Sequence, residues 1–195
     1  MLDQATYQAY VTLLQQELLV AMGCTEPIAI ALAAARARDL LGSVPVRVEV
    51  FASGSVVKNA KSVVVPHTGG LKGIEAAAAA GIVAGNPAKM LEVIADVSAD
   101  QIECIAQYLG SVPMSVSQTT SGLDFDIVVR VFDESDQSAL VRIAEHHTNI
   151  VCEEVNGALI SEQAPGEDAF SESAPDQLLS MEKIWEISQT VNIED

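Results

Sequence analysis

Residues 23–28, near the start of the chain, contain a cysteine in a setting that suits metal binding. Their sequence is Gly-Cys-Thr-Glu-Pro-Ile, and they lie between two apolar helical patterns. Gly23 can adopt the left-handed conformation that ends a helix, and Thr25 is a favourable N-cap residue for the next helix. The N–H groups and the dipole at a helix N-terminus favour the thiolate of Cys24, which is the form that binds metal. The alternative is a buried free cysteine in a tight turn.

A glycine-rich stretch offers a second candidate site, for an anionic group. Residues 65–73, Val-Pro-His-Thr-Gly-Gly-Leu-Lys-Gly, lead into a predicted helix. Glycines before a helix N-terminus expose backbone N–H groups that can bind a carboxylate or a phosphate. Lys58 and Lys72 could add positive charge, and Thr68 a hydroxyl. The spacing matches neither a Walker loop nor G-x-G-x-x-G, and a plain strand-to-helix connection is the alternative.

Residues 145–149, Glu-His-His-Thr-Asn, form the third candidate. The pattern predicts a strand, on which His146 and His147 would point to opposite faces and could not easily bind one metal together. The sequence has no H-E-x-x-H and no C-x-x-C, so no complete metal site is contained in a short stretch. The alternative is one histidine in solvent and the other hydrogen-bonded at a strand end. Cys104 and Cys152 are interpreted as small core residues.

The composition limits the classes of partner. The 195 residues are 49% hydrophobic and carry a formal net charge of −17. A packed globular protein is therefore expected, and nucleic acid is excluded as a partner because phosphate binding needs a basic face. No uncharged run reaches the roughly 20 residues of a membrane span, and the N-terminus lacks a signal-peptide pattern. We expect a cytoplasmic protein that does not bind membranes.

The elements that must position these residues follow from hydrophobic periodicity, which predicts an α+β fold. Helices alternate with one strand in the first part of the chain, and a meander of strands follows. We expect a helical N-terminal portion, with two helices broken at Cys24, packed with a mostly antiparallel sheet of about five strands. The predicted helices cover residues 5–22, 26–41, 74–84, 89–94 and 99–109; the strand patterns cover residues 46–51, 112–119, 125–132, 139–145 and 149–155, with 158–162 as a return strand.

The composition also changes along the chain. Residues 1–163 are predicted to form a single α+β domain. Residues 164–176 are rich in Pro, Gly, Ser, Glu and Asp, which is typical of a linker. Residues 178–190 are predicted to form a C-terminal helix.

Together, the three candidate stretches resemble the N-terminal half of the L-cysteine desulfidase family, which is similar to the α chain of iron–sulfur L-serine dehydratase. The resemblance extends over nearly the whole chain, in order and spacing. It is carried by residues 23–27, Lys58-Asn59, Val65-Pro66, Thr68-Gly69, Gly73, Gly85-Asn86, the His-Thr-Asn-Ile-Val run at 147–151, and Asn156-Gly157.

The resemblance implies an enzyme, a lyase that eliminates sulfide (or water) and ammonia from L-cysteine (or L-serine) to give pyruvate. It also implies a [4Fe–4S] cluster, in which an iron with an exchangeable position stabilises the leaving group. The first cluster ligand falls on Cys24. The resemblance further points to Lys58, Asn59 and His147 as catalytic residues and to His67, Thr68, Gly69, Gly70 and Asn149 as substrate-binding residues.

The chain departs from that family in one respect. The family's chains are longer, and their other two cluster cysteines lie in a C-terminal half that this sequence lacks. We therefore expect the chain to be inactive alone, its last helix to contact the absent half or a partner subunit, and its uncovered apolar surface to allow a homodimer. The alternative is a non-catalytic module that binds a small amino acid or a partner subunit.

Overall fold

A computed structural model describes residues 2–164 and 179–192. The fold is α+β, as predicted. The helices are α1 (Gln4–Glu17), α2 (Thr25–Leu41), α3 (Gly54–Ala60), α4 (Ile74–Ala84), a 3₁₀ helix (Pro87–Glu92), α5 (Ala99–Ser111) and α6 (Met181–Thr190). The strands are β1 (Arg47–Ala52), β2 (Met114–Gln118), β3 (Asp126–Phe132), β4 (Ser138–Ala144), β5 (Ile150–Val155) and β6 (Ala158–Glu162).

The chain divides into two compact units. One comprises Ala21–Gly166 and contains the whole sheet with α2 to α5. The other combines Met1–Val20 with Glu167–Asp195 and contains α1 and α6. The predicted linker, apart from residue 164, lies outside the described residues.

The six described strands form one sheet in the order β2-β1-β3-β4-β5-β6. β1 and β2 are parallel and the other neighbouring pairs are antiparallel. The prediction of a mostly antiparallel sheet is therefore confirmed, with six strands instead of about five. The β5–β6 hairpin turns at Asn156-Gly157, where both residues have the positive φ that such a turn requires.

One face of the sheet is buried under helices. Val48, Val50 and Ala52 are at most 1% exposed and alternate with half-buried residues along β1. β3 and β4 follow the same alternation. α2 packs across β3 and β4, and α4 packs on α2. The almost wholly apolar first part of α2 is explained by this central position.

The contact between α2 and α4 is made by very small residues. A Cβ atom built on Gly81 would lie 2.1 Å from the carbonyl oxygen of Ala31, and one on Gly85 would lie 2.8 Å from the Cβ of Ala35. The alanine-rich pattern of α4 is thus a consequence of close helix–helix approach. Arg38 of α2 completes the contact by donating hydrogen bonds of 2.8 to 3.4 Å to carbonyl groups at the end of α4.

The predicted helices differ from the structure at several points. The first helix was expected to run to residue 22, but α1 ends at Glu17. α3 was not predicted, because its seven residues bury only Val56 and Ala60 and show too little periodicity to be recognised. The last helix begins at Met181 instead of residue 178. In the described part of the chain, no helix is long and apolar enough to cross a membrane.

Candidate functional site

The sheet topology brings Lys58-Asn59 and residues 145–149 to the same end of the sheet. At this end Ala52, the last residue of β1, pairs with Ile127 of β3, and Ala144, the last residue of β4, pairs with Asp126. The segment after β1, which contains α3, and the turn between β4 and β5 therefore leave the sheet side by side. Hydrogen bonds join both of them to the first turn of α2.

The first of these connections involves the thiol of Cys24. Its Sγ donates to Oε2 of Glu26 at 3.1 Å, and Nδ2 of Asn59 on α3 donates to Oε1 of the same carboxylate at 3.0 Å. Both carboxylate oxygens thus accept a hydrogen bond. Cys24 is exposed, so its sulfur is accessible from solvent.

The second connection reaches the turn between β4 and β5. Thr25 Oγ1 lies 2.9 Å from Nε2 of His147, and the imidazole packs against the ring of Phe125 with their centroids 4.4 Å apart. His147 is half-buried as a result. The side chains of Cys24, Thr25, Glu26, Asn59 and His147 together are called the Cys24 cluster below.

The thiol of Cys24 is protonated at neutral pH. Burial raises its pKa, and the hydrogen bond and negative charge of Glu26 raise that pKa further. A backbone hydrogen bond acts in the opposite direction but is outweighed. The pKa of the Cys24 thiol is thus raised, first by burial and then by the Glu26 carboxylate, whereas the sequence alone led us to expect a lowered pKa at a helix N-terminus.

Glu26 and His147 have the opposite tendency. Burial by itself would raise the pKa of Glu26, but hydrogen bonds from Cys24 and Asn59 bring the pKa below its ordinary value, so the carboxylate is ionised. Burial lowers the pKa of His147, against the influence of Glu26, and the imidazole is neutral at neutral pH. The Cys24 cluster thus contains one proton donor, one fixed negative charge and one neutral base.

The local backbone around the cysteine differs from the prediction in two ways. Gly23 does not end a helix, since α1 stops at Glu17; its φ of 144° shapes the loop before α2 instead. The N-cap position belongs to Cys24 and not to Thr25. Thr25 is the first residue of α2, and its hydroxyl is directed to His147 instead of to backbone N–H groups.

The two histidines do not lie on a strand. β4 ends at Ala144, and residues 145–149 form a turn in which Glu145 has a φ of 66°. His147 lies just after the end of β4 and is within hydrogen-bond distance of Thr25. The side chain of Asn149 closes this turn: Nδ2 donates to the carbonyl of Ala144 at 3.2 Å, and Oδ1 accepts from Gln163 at 2.6 Å.

The glycine-rich stretch lies beside the loop that precedes Cys24, since a Cβ atom on Gly23 would be 3.4 Å from Cγ of Pro66. Thr68 is 2% exposed, and its hydroxyl donates to the carbonyl of Val65 at 2.7 Å, so this side chain supports the loop. His67 is exposed with a φ of 58°. Gly69 and Gly70 are also exposed and have positive φ, so their backbone faces solvent.

Lys58 precedes Asn59 on α3 and is exposed. Lys58 is therefore a positively charged sequence neighbour of a residue of the Cys24 cluster. Its side chain makes no hydrogen bond or ion pair with other described residues. Glu26 lies in the first candidate stretch but was given no role there, and Phe125 was not singled out in the sequence. Glu26 could have been found, because an acidic residue two positions after a cysteine at a helix start is within reach of its thiol.

The described residues do not supply a complete metal site. No group of three or more His, Cys, Asp or Glu side chains among them could hold a metal ion. A four-iron cluster needs several thiolates. Cys104 is exposed on α5, contrary to the expected core position, and Cys152 is half-buried on β5. Residues 2–164 and 179–192 therefore do not fit a [4Fe–4S] cluster by themselves.

Comparison with known proteins finds relatives that carry the name UPF0597 protein. The chain is 47% identical over 189 residues to a UPF0597 protein of Desulfitobacterium hafniense, with 97% of this chain and 44% of the relative covered. UPF0597 proteins of Treponema denticola (35% identity, 100% of this chain and 45% of the relative) and Finegoldia magna (38% identity, 95% and 44%) are also similar. The chain spans less than half the length of these relatives. No protein-family model matches it.

These comparisons correct one expectation. The resemblance to the L-cysteine desulfidase family and to iron–sulfur L-serine dehydratase is wrong, because the relatives found along 97% of the chain carry the UPF0597 name and provide no link to either enzyme.

Proposed function

We propose that the Cys24 cluster is part of the active site of a lyase that eliminates sulfide or water, with ammonia, from L-cysteine or L-serine to give pyruvate. The observation that carries the proposal is that a protonated thiol, an ionised carboxylate and a neutral imidazole share one accessible cluster at the start of α2. The catalytic polypeptide is proposed to be of the relatives' length, and this chain alone is expected to be inactive.

The proposed reaction needs a base and an acid on neighbouring groups. A base removes the proton from the α-carbon of the amino acid, the carbon–sulfur or carbon–oxygen bond breaks with its electron pair on the leaving atom, and an acid protonates that atom. The resulting aminoacrylate tautomerises to an imine, and water hydrolyses the imine to pyruvate and ammonia. His147 is the candidate base because its imidazole is neutral. Without a bound metal, the Cys24 thiol is the candidate proton donor. With a metal bound, Cys24 would be a ligand, and the metal would stabilise the leaving atom in place of the thiol proton.

Other residues would hold the components in place. Asn59 fixes the Glu26 carboxylate, which in turn orients the thiol. Lys58 would attract the substrate carboxylate, and the backbone N–H groups at Gly69 and Gly70 would bind it.

An iron–sulfur cluster belongs to the proposal only with additional polypeptide. Cys24 would supply one thiolate, and the other ligands would come from residues outside this chain. Binding of metal would displace the thiol proton, so the raised pKa of Cys24 is a property of the chain without metal. We place the protein in the cytoplasm, where free thiols such as its three cysteines remain reduced.

The partners proposed here are the amino-acid substrate and the polypeptide that the relatives have beyond the matched region. Leu159 and Ile160 on the edge strand β6 are 53% and 57% exposed. Apolar side chains on an edge strand suit an interface, either with that polypeptide or with a second copy of the chain.

The test is an anaerobic assay of the full-length Desulfitobacterium hafniense relative, with and without iron–sulfur reconstitution. Pyruvate and sulfide are measured with L-cysteine, and pyruvate with L-serine. We expect turnover of at least one of them, and a loss of at least about a hundredfold when the residue aligned with Cys24 is replaced by serine. The 195-residue chain is the matched control without turnover. Absence of turnover with both amino acids would refute the proposal and favour a non-catalytic module.

A further inference from the structure

A cleft separate from the Cys24 cluster lies further along α2. Its volume is about 480 Å³, which is within the range of small-molecule sites. Arg36 and Asp39 from the last turns of α2 line one side, Asn86 lies at the start of the 3₁₀ helix, and Glu153 and Ser161 come from β5 and β6. Because Arg36 is 11 residues beyond Thr25, about 16 Å of helix separates the cleft from the cluster.

The guanidinium of Arg36 is held in a fixed position in this cleft. Its Nε donates to Oε1 of Glu153 at 2.6 Å and its Nη2 to Oε2 at 3.4 Å. The second oxygen also accepts from Ser161 Oγ at 3.1 Å. The Glu153 side chain is 9% exposed and the Arg36 side chain 40% exposed, so the carboxylate anchors an arginine that still faces the cleft.

This arrangement leaves hydrogen-bond donors unused. A guanidinium has five N–H groups, and two of those on Arg36 point to Glu153. The other three have no acceptor within the described part of the chain. Asn86 adds an amide: its Oδ1 accepts from the N–H of Ala88 at 3.1 Å, which leaves the NH₂ group without an acceptor among the described side chains. Arg and Asn donors that line one cleft are suited to a carboxylate.

An acceptor for a cation lies in the same cleft. The hydrogen bond that Arg36 donates to Glu153 has the largest effect in raising the pKa of Arg36, and Asp39 is close enough to raise that pKa further. The Oδ1 atom of Asp39 accepts from Arg38, whereas its Oδ2 has no donor from the described residues. Apolar contact area comes from Pro87, Ala88 and Ile150.

We infer that this cleft binds a free α-amino acid, with the carboxylate on Arg36 and Asn86, the ammonium group on Asp39, and the side chain against the apolar wall. The cleft has a donor pair and an acceptor together, so a ligand with both charges satisfies more groups than a simple anion or a simple amine. The inference does not depend on the proposed lyase activity, because the site lies outside the Cys24 cluster.

The test is isothermal titration calorimetry on the 195-residue chain with individual L-amino acids, including serine, cysteine, alanine and leucine. Propionate and ethylamine, which each carry one of the two charges, are the matched ligands. We expect saturable binding of at least one L-amino acid, and affinity at least about tenfold lower for propionate and for ethylamine. No binding of any amino acid at millimolar concentration would overturn the inference, as would equal binding of the single-charge ligands.

Two variants test the assignment of residues. Arg36→Gln together with Glu153→Gln removes the fixed guanidinium without leaving a buried charge unpaired, and Asp39→Asn removes the acceptor for the ammonium group. Each should lower the affinity by about tenfold or more while circular dichroism remains unchanged. Unchanged affinity in both variants would refute the site.

Matched controls remove the same groups elsewhere. Arg130→Gln and Glu134→Gln change the charge by the same amount outside the cleft and should bind as the parent chain does. Loss of binding in these controls with full binding in Asp39→Asn would place the amino acid outside the cleft and overturn the inference.

Discussion

The contact between α2 and α4 predicts a large effect of a single methyl group. In Gly81→Ala, the new Cβ would lie 2.1 Å from the carbonyl oxygen of Ala31, whereas ordinary contacts begin at 3.4 Å. The two helices would have to separate by about 1.3 Å, the difference between these distances. Because both helices are central to the core, we expect overpacking to cost about 3 kcal/mol or more.

The same substitution has a favourable effect on helix propensity, which must be subtracted. Alanine is about 1 kcal/mol better than glycine inside a helix. The free energy of unfolding should therefore fall by about 2 kcal/mol or more in Gly81→Ala. With a denaturant slope of about 2 kcal/mol per molar urea, the unfolding midpoint should fall by roughly 1 M. Urea unfolding followed by circular dichroism measures this directly.

Gly110→Ala provides the matched control. Gly110 lies in α5, and a Cβ atom built there would meet nothing within 4 Å. This variant should be as stable as the parent chain, or more stable by up to about 1 kcal/mol. If Gly81→Ala unfolds at the same urea concentration as Gly110→Ala, the close approach of α2 and α4 is not what requires glycine, and the reasoning fails.

Three further predictions concern charged groups. Arg142→Gln should lower the free energy of unfolding by roughly 3 kcal/mol in urea titrations, because the Asp126 side chain is 2% exposed and would lose its ion-pair partner; an effect below about 1 kcal/mol would contradict this. Burial and then Glu26 raise the pKa of Cys24, so Glu26→Gln should lower that pKa. Alkylation of Cys24 at pH 8, followed by mass spectrometry of the peptide that contains it, should then be several-fold faster. An unchanged rate would disprove the coupling between the two side chains. The hydrogen bond that Arg36 donates to Glu153 lowers the pKa of this carboxyl below its ordinary 4.5, so the stability that the carboxylate contributes is full above pH 4.5 and is lost as the pH falls through the lowered pKa. Glu153→Gln should therefore reduce the loss of stability at acid pH, measured by urea titrations at several pH values. An acid profile identical to that of the parent chain would contradict this prediction.

Part of the candidate site could be predicted from the sequence because local rules determine it. Cys24 was expected at a helix start, and it is the N-cap of α2. Its pairing with Glu26 also lies within one helical turn. The contacts with Asn59 and His147 cross 33 to 122 residues of sequence, and only the order of strands in the sheet brings those residues together.

The sequence by itself determined the elements whose periodicity is strong. The α+β class, the boundaries of α4 and the six strand segments follow from apolar spacing and turn residues, which act over a few neighbouring positions. Only the tertiary structure decided the protonation of Cys24 and the position of the cleft at Arg36. A pKa depends on burial and on charges nearby in space, and a cleft depends on where helices and strands fail to fill the space between them; neither is a property of neighbouring residues in the chain.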